Sequence, residues 1–265
     1  MDDKSTPSMT SSPIAIIARW TLLVALACGT ARHAAAQYTE VPATVAPGKF
    51  LLEADALSLI IDREGLDKFT AVGAGSILVT TGLTSNWDIQ VGAELFISQR
   101  YEAGSFTDRK SGIGDVYVRT KYRFYESEYV SAAILPYAKI PTNTGDVGND
   151  SIEGGVMLPW EVYIFDSLVL NSMVDLSIIR NANDDGYEAL VYASSAVSKQ
   201  ITKRLTVYAE LDATKSSSTV PWQSTLGVGA YLTINDALSW DFVMYRGLNR
   251  NAPDWNPVVR VNFGF

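Results

Sequence analysis

The C-terminal stretch Val258-Val259-Arg260-Val261-Asn262-Phe263-Gly264-Phe265 decides the fold. Successive side chains of an extended chain point to opposite faces. Val259, Val261, Phe263 and Phe265 therefore share one face, and Val258, Arg260, Asn262 and Gly264 share the other. The first face carries no charge. If it meets lipid, Arg260 and Asn262 must point into an enclosed interior, because a basic residue on a lipid face near the midplane costs roughly 2–4 kcal/mol.

The same rhythm runs back through the chain. Leu238, Trp240, Phe242 and Met244 alternate with Ser239, Asp241, Val243 and Tyr245. Leu205, Val207, Ala209, Leu211 and Ala213 alternate with Thr206, Tyr208, Glu210, Asp212 and Thr214. Twelve such segments are expected, at 49–61, 69–82, 88–101, 112–125, 129–141, 151–164, 168–180, 187–200, 204–215, 221–233, 237–247 and 256–265. Turns such as Ser85-Asn86-Trp87 and Asn235-Asp236 alternate with longer polar loops at 62–68, 102–111, 142–150, 181–186, 216–220 and 248–255. Short connections on one side and long ones on the other mark an all-β, transmembrane antiparallel β-barrel of about twelve strands. An even count places both termini in the periplasm. A soluble β-sandwich is disfavoured, since its strands average five or six residues. Aromatic residues gather where the strands end, with Phe50, Trp87, Phe124, Tyr129, Phe165 and Phe265 on one rim and Phe69, Trp222 and Trp255 toward the other. Interfacial girdles need such rings. Gly73 and Gly75 blur the phase of the second segment.

Residues 1–36 have the pattern of an export signal. A polar start ends at Arg19, an apolar run spans Trp20–Ala27, and Ala34-Ala35-Ala36 supplies small residues before Gln37. Residues 37–48 are then a periplasmic lead-in and 49–265 the barrel. Removing 1–36 takes Lys4, Arg19 and Arg32 against Asp2 and Asp3, which leaves 18 basic and 27 acidic residues. The acidic balance excludes a nucleic-acid partner. The single Cys28 and the single His33 both leave with the signal. No disulfide, thiolate or histidine-based catalytic arrangement is then available, so no catalytic residue, metal site or cofactor is expected.

The inward phase of each strand collects the charges. Arg119, Lys121 and Arg123 form a basic column, with Lys139 and Arg260 near it. Alternate residues on one face stand ~6.6 Å apart, so the three can form a ladder along the barrel axis. Around it lie Glu53, Asp55, Glu94, Asp115, Glu153, Glu161, Asp175, Glu210, Asp212 and Asp241. Two readings stay open: a salt-bridge network that fills the barrel, or a constriction that selects solutes by charge and size. Lys199 is the one charge in an outward phase, at a strand end where its stem can snorkel. The acidic stretches 146–150 and 183–188 are read as solvated loop charge rather than cation sites, since neither has EF-hand spacing. Gly112-Ile113-Gly114-Asp115 lacks the third glycine and following helix of a dinucleotide loop.

The stretch Ser111-Gly112-Ile113-Gly114-Asp115-Val116-Tyr117-Val118-Arg119-Thr120-Lys121-Tyr122-Arg123-Phe124 resembles a family of outer-membrane transporters associated with meta-pathway phenol degradation. Leu135-Pro136-Tyr137-Ala138-Lys139-Ile140-Pro141-Thr142 and Gly155-Val156-Met157-Leu158-Pro159 extend the likeness. The resemblance implies an outer-membrane barrel with a role in solute passage. The loop after Thr142 departs from the pattern, reading Asn143-Thr144-Gly145-Asp146 without an immediate glycine.

These readings converge on a channel for small solutes, aromatic or hydrophobic compounds among them. Its partners would be outer-membrane lipids, the solutes, and the barrel-assembly machinery during insertion. The alternative is a structural or surface barrel without specific transport.

Overall fold

The computed structural model describes residues 38–265 apart from Leu66 and Asp166. Residues 1–36, expected to be an export signal and carrying Cys28 and His33, lie outside the described residues. The strands are β1 (Phe50–Glu64), β2 (Asp67–Thr84), β3 (Trp87–Ala103), β4 (Phe106–Gly112), β5 (Val116–Glu126), β6 (Val130–Ile140), β7 (Glu153–Phe165), β8 (Leu168–Arg180), β9 (Tyr187–Gln200), β10 (Leu205–Ser216), β11 (Gln223–Thr233), β12 (Leu238–Gly247) and β13 (Trp255–Gly264). Both β4 and β5 pair with β3 in one continuous register, Ile97 opposite Gly112 and Ala93 opposite Val116. They are one strand opened at 113–115, so the thirteen segments make a twelve-stranded antiparallel sheet.

The sheet closes on itself where β1 meets β13. There the amides of Phe50 and Phe265 each donate to the other's carbonyl at 2.9 Å, and their rings stack with centroids 5.5 Å apart. Closure leaves no sheet edge, as lipid requires.

Burial alternates as the sequence predicts. In β10, Thr206, Tyr208, Glu210 and Asp212 are buried while Val207, Ala209 and Leu211 are exposed. In β13, Val258 and Asn262 are buried and Phe263 is exposed. Lys199 is exposed, opposite Leu168 and Val207 of the outer face. The short-turn rim carries exposed Phe50, Trp87, Phe124, Tyr129, Phe165 and Phe265.

Strands β1 to β3 differ from expectation in two ways. The segments 62–68 and 102–111, expected as loops, continue as sheet to tight turns where Gly65 and Gly104 take φ of 61° and 60°. β2 and β3 reach 18 and 17 residues, well beyond the roughly 9–11 that cross a bilayer, so these hairpins stand above the membrane. The phase also slips part-way up. Asp55 pairs with Arg260 but Leu57 with Val259, so β1 holds one extra residue, and Ser58 takes the place opposite buried Val258. Ser58 in turn faces Gly73, and Asp55 faces Ser76. The β1–β2 register runs unbroken between these pairs, so the change of phase carries over into β2, where Gly75 takes φ of 69°. The blurred phase of this segment therefore accompanies the bulge in β1.

The interior is not an apolar core. One small hydrophobic cluster, Tyr208, Val243, Tyr245 and Val258, and scattered apolar residues such as Leu135 and Met173 lie in a wall where buried polar side chains are the majority.

Candidate functional site

The segment ahead of β1 reshapes the lumen. Expected as a lead-in outside the barrel, Tyr38–Val45 instead lies against the inward side chains. The amides of Tyr38 and Thr39 donate to Glu210 at 3.2 and 2.6 Å, and the Thr39 hydroxyl donates to the same carboxylate at 2.6 Å. Tyr38 stacks on Tyr245 with centroids 4.5 Å apart, and its hydroxyl accepts from Asn256 at 2.6 Å. Glu40 pairs with Arg119 and, at 3.3 Å, with Lys121. Lys121 also donates to the Ala43 carbonyl at 3.3 Å, and the Val45 amide to Asp88 at 3.3 Å. The physical reason is charge: a basic ladder enclosed in a barrel needs an anion, and Glu40 supplies it. Burial alone would raise the Glu40 carboxyl, but Arg119 and Lys121 outweigh it and hold the pKa at about 2.

All three members of the ladder are thus engaged, since Arg123 pairs with Glu126 at 3.1 Å and donates to the Ser85 carbonyl at 2.9 Å. Lys139 lies apart from them, toward the long loops. It bonds Asp115 at 3.2 Å, Glu153 at 3.0 Å and the Asn149 side-chain oxygen at 2.6 Å. Asp115 also accepts from the amides of Thr142 and Asn143, each at 3.0 Å, which folds the loop inward. Gly145 and Asp146 turn this loop with φ of 67° and 54°. A Cβ at 145 would overlap the Ser111 carbonyl, so the glycine stands where the fold needs it, three residues after Thr142. Arg260 bonds Asp55 at 2.6 Å and approaches Glu53 at 3.8 Å across the β1–β13 seam.

Tyrosines hold three of the remaining acids, a role that the charge pattern did not reveal. Tyr137 donates to Asp175 at 2.9 Å, Tyr208 to Asp241 at 2.7 Å, and Tyr245 to Glu210. Asp212 accepts from Thr225. The last two tyrosine rings reach across β11 over inward-facing glycines. Tyr245, Gly227 and Glu210 form one register row, and Tyr208 lies beside Gly229. A Cβ at either glycine would overlap the ring above it. The legible signal was Gly227-Val228-Gly229, two glycines in an inward phase between tyrosine-bearing strands. In the loop region, Glu188 accepts from the amides of Ser218 and Thr219 at 2.9 and 2.7 Å. It shapes the 216–220 turn.

Two chambers lie in the lumen. One, of about 340 Å³, opens among Glu94, Tyr117 and Tyr137 toward the long loops. The other, of about 240 Å³, lies among Val41–Val45, Asp88 and Lys121 toward the short turns. Tyr38, Glu40, Glu53 and Arg260 border both, forming the layer between them.

Among solved structures the chain is similar to the translocator domain of the autotransporter NalP from Neisseria meningitidis. The TM-score is 0.53 at 10% identity, over 95% of each chain. It is similar also to the NanC porin, with a TM-score of 0.51 at 10% identity over 78% of this chain and 99% of that one. The KdgM porin gives a TM-score of 0.51 at 10% identity over 82% and 99%. These likenesses show the outer-membrane barrel fold. No curated protein matches the chain. A family model matches residues 35–264, nearly the whole described barrel, and by that match the chain belongs to the family described as "Putative MetA-pathway of phenol degradation".

Proposed function

We propose that the protein is an outer-membrane channel that passes small solutes, aromatic compounds among them, through a narrow charge-lined lumen. The observation that carries this reading is the interior itself. A barrel built only to stand in the membrane has no need of two solvent-sized chambers lined by acids, arginines and tyrosines. Membership of a phenol-degradation family supports an aromatic solute, and the porins NanC and KdgM share the fold. The layer of Glu40, Glu53, Arg119 and Arg260 is the selectivity zone in this reading, and the barrel does no catalysis. Residues 1–36 act as the export signal, and the barrel-assembly machinery inserts the product. Planar-bilayer conductance and liposome swelling with phenol test the proposal. Solute-dependent swelling above that of empty liposomes is expected, and its absence overturns it.

One observation favours a structural barrel instead: Tyr38–Val45 occupies the lumen. A variant lacking residues 38–45 separates the two readings. If it too passes no ions or solutes, the barrel is structural.

A further inference from the structure

The geometry points to the larger chamber as a binding subsite for one-ring aromatics that carry a hydrogen-bond donor and no negative charge. This inference rests on the channel reading and names its solute class. The chamber holds about 340 Å³, ample for a substituted benzene, since a cavity of about 150 Å³ already takes benzene. Its walls are the rings of Tyr38, Tyr117 and Tyr137 with Leu78 and Met157. Two of the rings are fixed before any solute arrives. Tyr38 is stacked on Tyr245 and bonded by Asn256, and Tyr137 is tied to Asp175. Fixed rings offer aromatic faces at little ordering cost.

Charge narrows the class. Four carboxylates line the chamber, Glu40, Glu53, Asp55 and Glu94, against two guanidiniums, Arg119 and Arg260. Glu40 engages Arg119, and Glu53 and Asp55 engage Arg260. Glu94 accepts from the Asp115 backbone amide but, among the described residues, forms no ion pair, so its carboxylate keeps acceptor capacity for a solute. It faces a space walled by aromatic rings, where a donor on the ring of a solute can reach it. A phenol hydroxyl or a benzylic ammonium satisfies this arrangement. A benzoate adds a fifth negative charge and is rejected.

The test uses the folded barrel in micelles with benzylamine, phenol and benzoate as probes, read by ligand-observed NMR and calorimetry. Benzylamine and phenol should bind and benzoate should not. Glu94→Gln, which keeps the shape, should weaken benzylamine by roughly tenfold. Ser76→Phe, which fills the chamber from its wall, should abolish binding of both, with the heat-modifiable gel shift of the folded barrel retained. Benzoate binding as tight as benzylamine, or Glu94→Gln and Ser76→Phe both without effect, overturns the proposal. Conductance with no such ranking removes the subsite and leaves the channel. Ranked binding with no conductance removes the channel and leaves the subsite.

Discussion

Glu40 and Arg119, 79 positions apart in the chain, form an ion pair between the two chambers of the lumen. The pair ties a segment outside the barrel strands to the inner wall of β5. With Lys121 on the same carboxylate, it makes Glu40 the centre of the latch. Glu40→Gln keeps the shape and removes the charge, leaving two cations without their counter-ion. Single-channel conductance should rise severalfold, and the segment 38–45 should become open to protease in micelles. Unchanged conductance and protection would mean that the contacts to Glu210 hold the segment by themselves.

The latch should withstand mild acid. The Glu40 pKa is lowered from 4.5 to about 2. A lowered carboxyl contributes stability that is present above its unfolded value and is lost as pH falls through the folded one. Between pH 7 and pH 4.5 the contribution of Glu40 is therefore intact, and it fades only toward pH 2. Protease protection of residues 38–45 should be the same at pH 7 and pH 5 in the native chain. Loss of protection by pH 5 would contradict the assignment.

Neutralising the ladder tests whether it selects. Replacing Arg119, Lys121 and Arg123 together by Gln removes three positive charges from a lumen already rich in acids. Bilayer reversal potentials should shift toward stronger cation preference, with the gel shift of the folded barrel retained. No shift would make the ladder structural filler.

Gly229 should tolerate no side chain. The ring of Tyr208 occupies the place of its Cβ, so Gly229→Val must move the ring and strain its bond to Asp241. A loss of about 1–3 kcal/mol is expected from overpacking, measured by urea unfolding in lipid vesicles. The adjacent Val228 is 62% exposed on the lipid side. Val228→Ala should cost far less than Val228→Arg, whose cost near the midplane is roughly 2–4 kcal/mol.

The alternation of residues such as Val259, Val261 and Phe263 with Arg260 and Asn262 was enough to determine the barrel, its strand count and the inward face of its charges. Side-chain direction in a strand has a period of two, and lipid excludes charge from the one phase it touches. The site was legible only as a set of inward residues. Which of them meet was decided by closure and by register. Arg260 finds Asp55 because the last strand pairs with the first. Tyr245 finds Glu210 because Gly227 lies between them in one row. The change of phase at Ala56 and Gly75 escaped pattern reading because one inserted residue inverts every phase beyond it. The place of Tyr38–Val45 was hidden most deeply, since no periodicity marks an irregular segment. Only the assembled wall, with Arg119, Lys121, Glu210 and Asn256 turned inward at fixed heights, supplies the partners that draw it into the lumen.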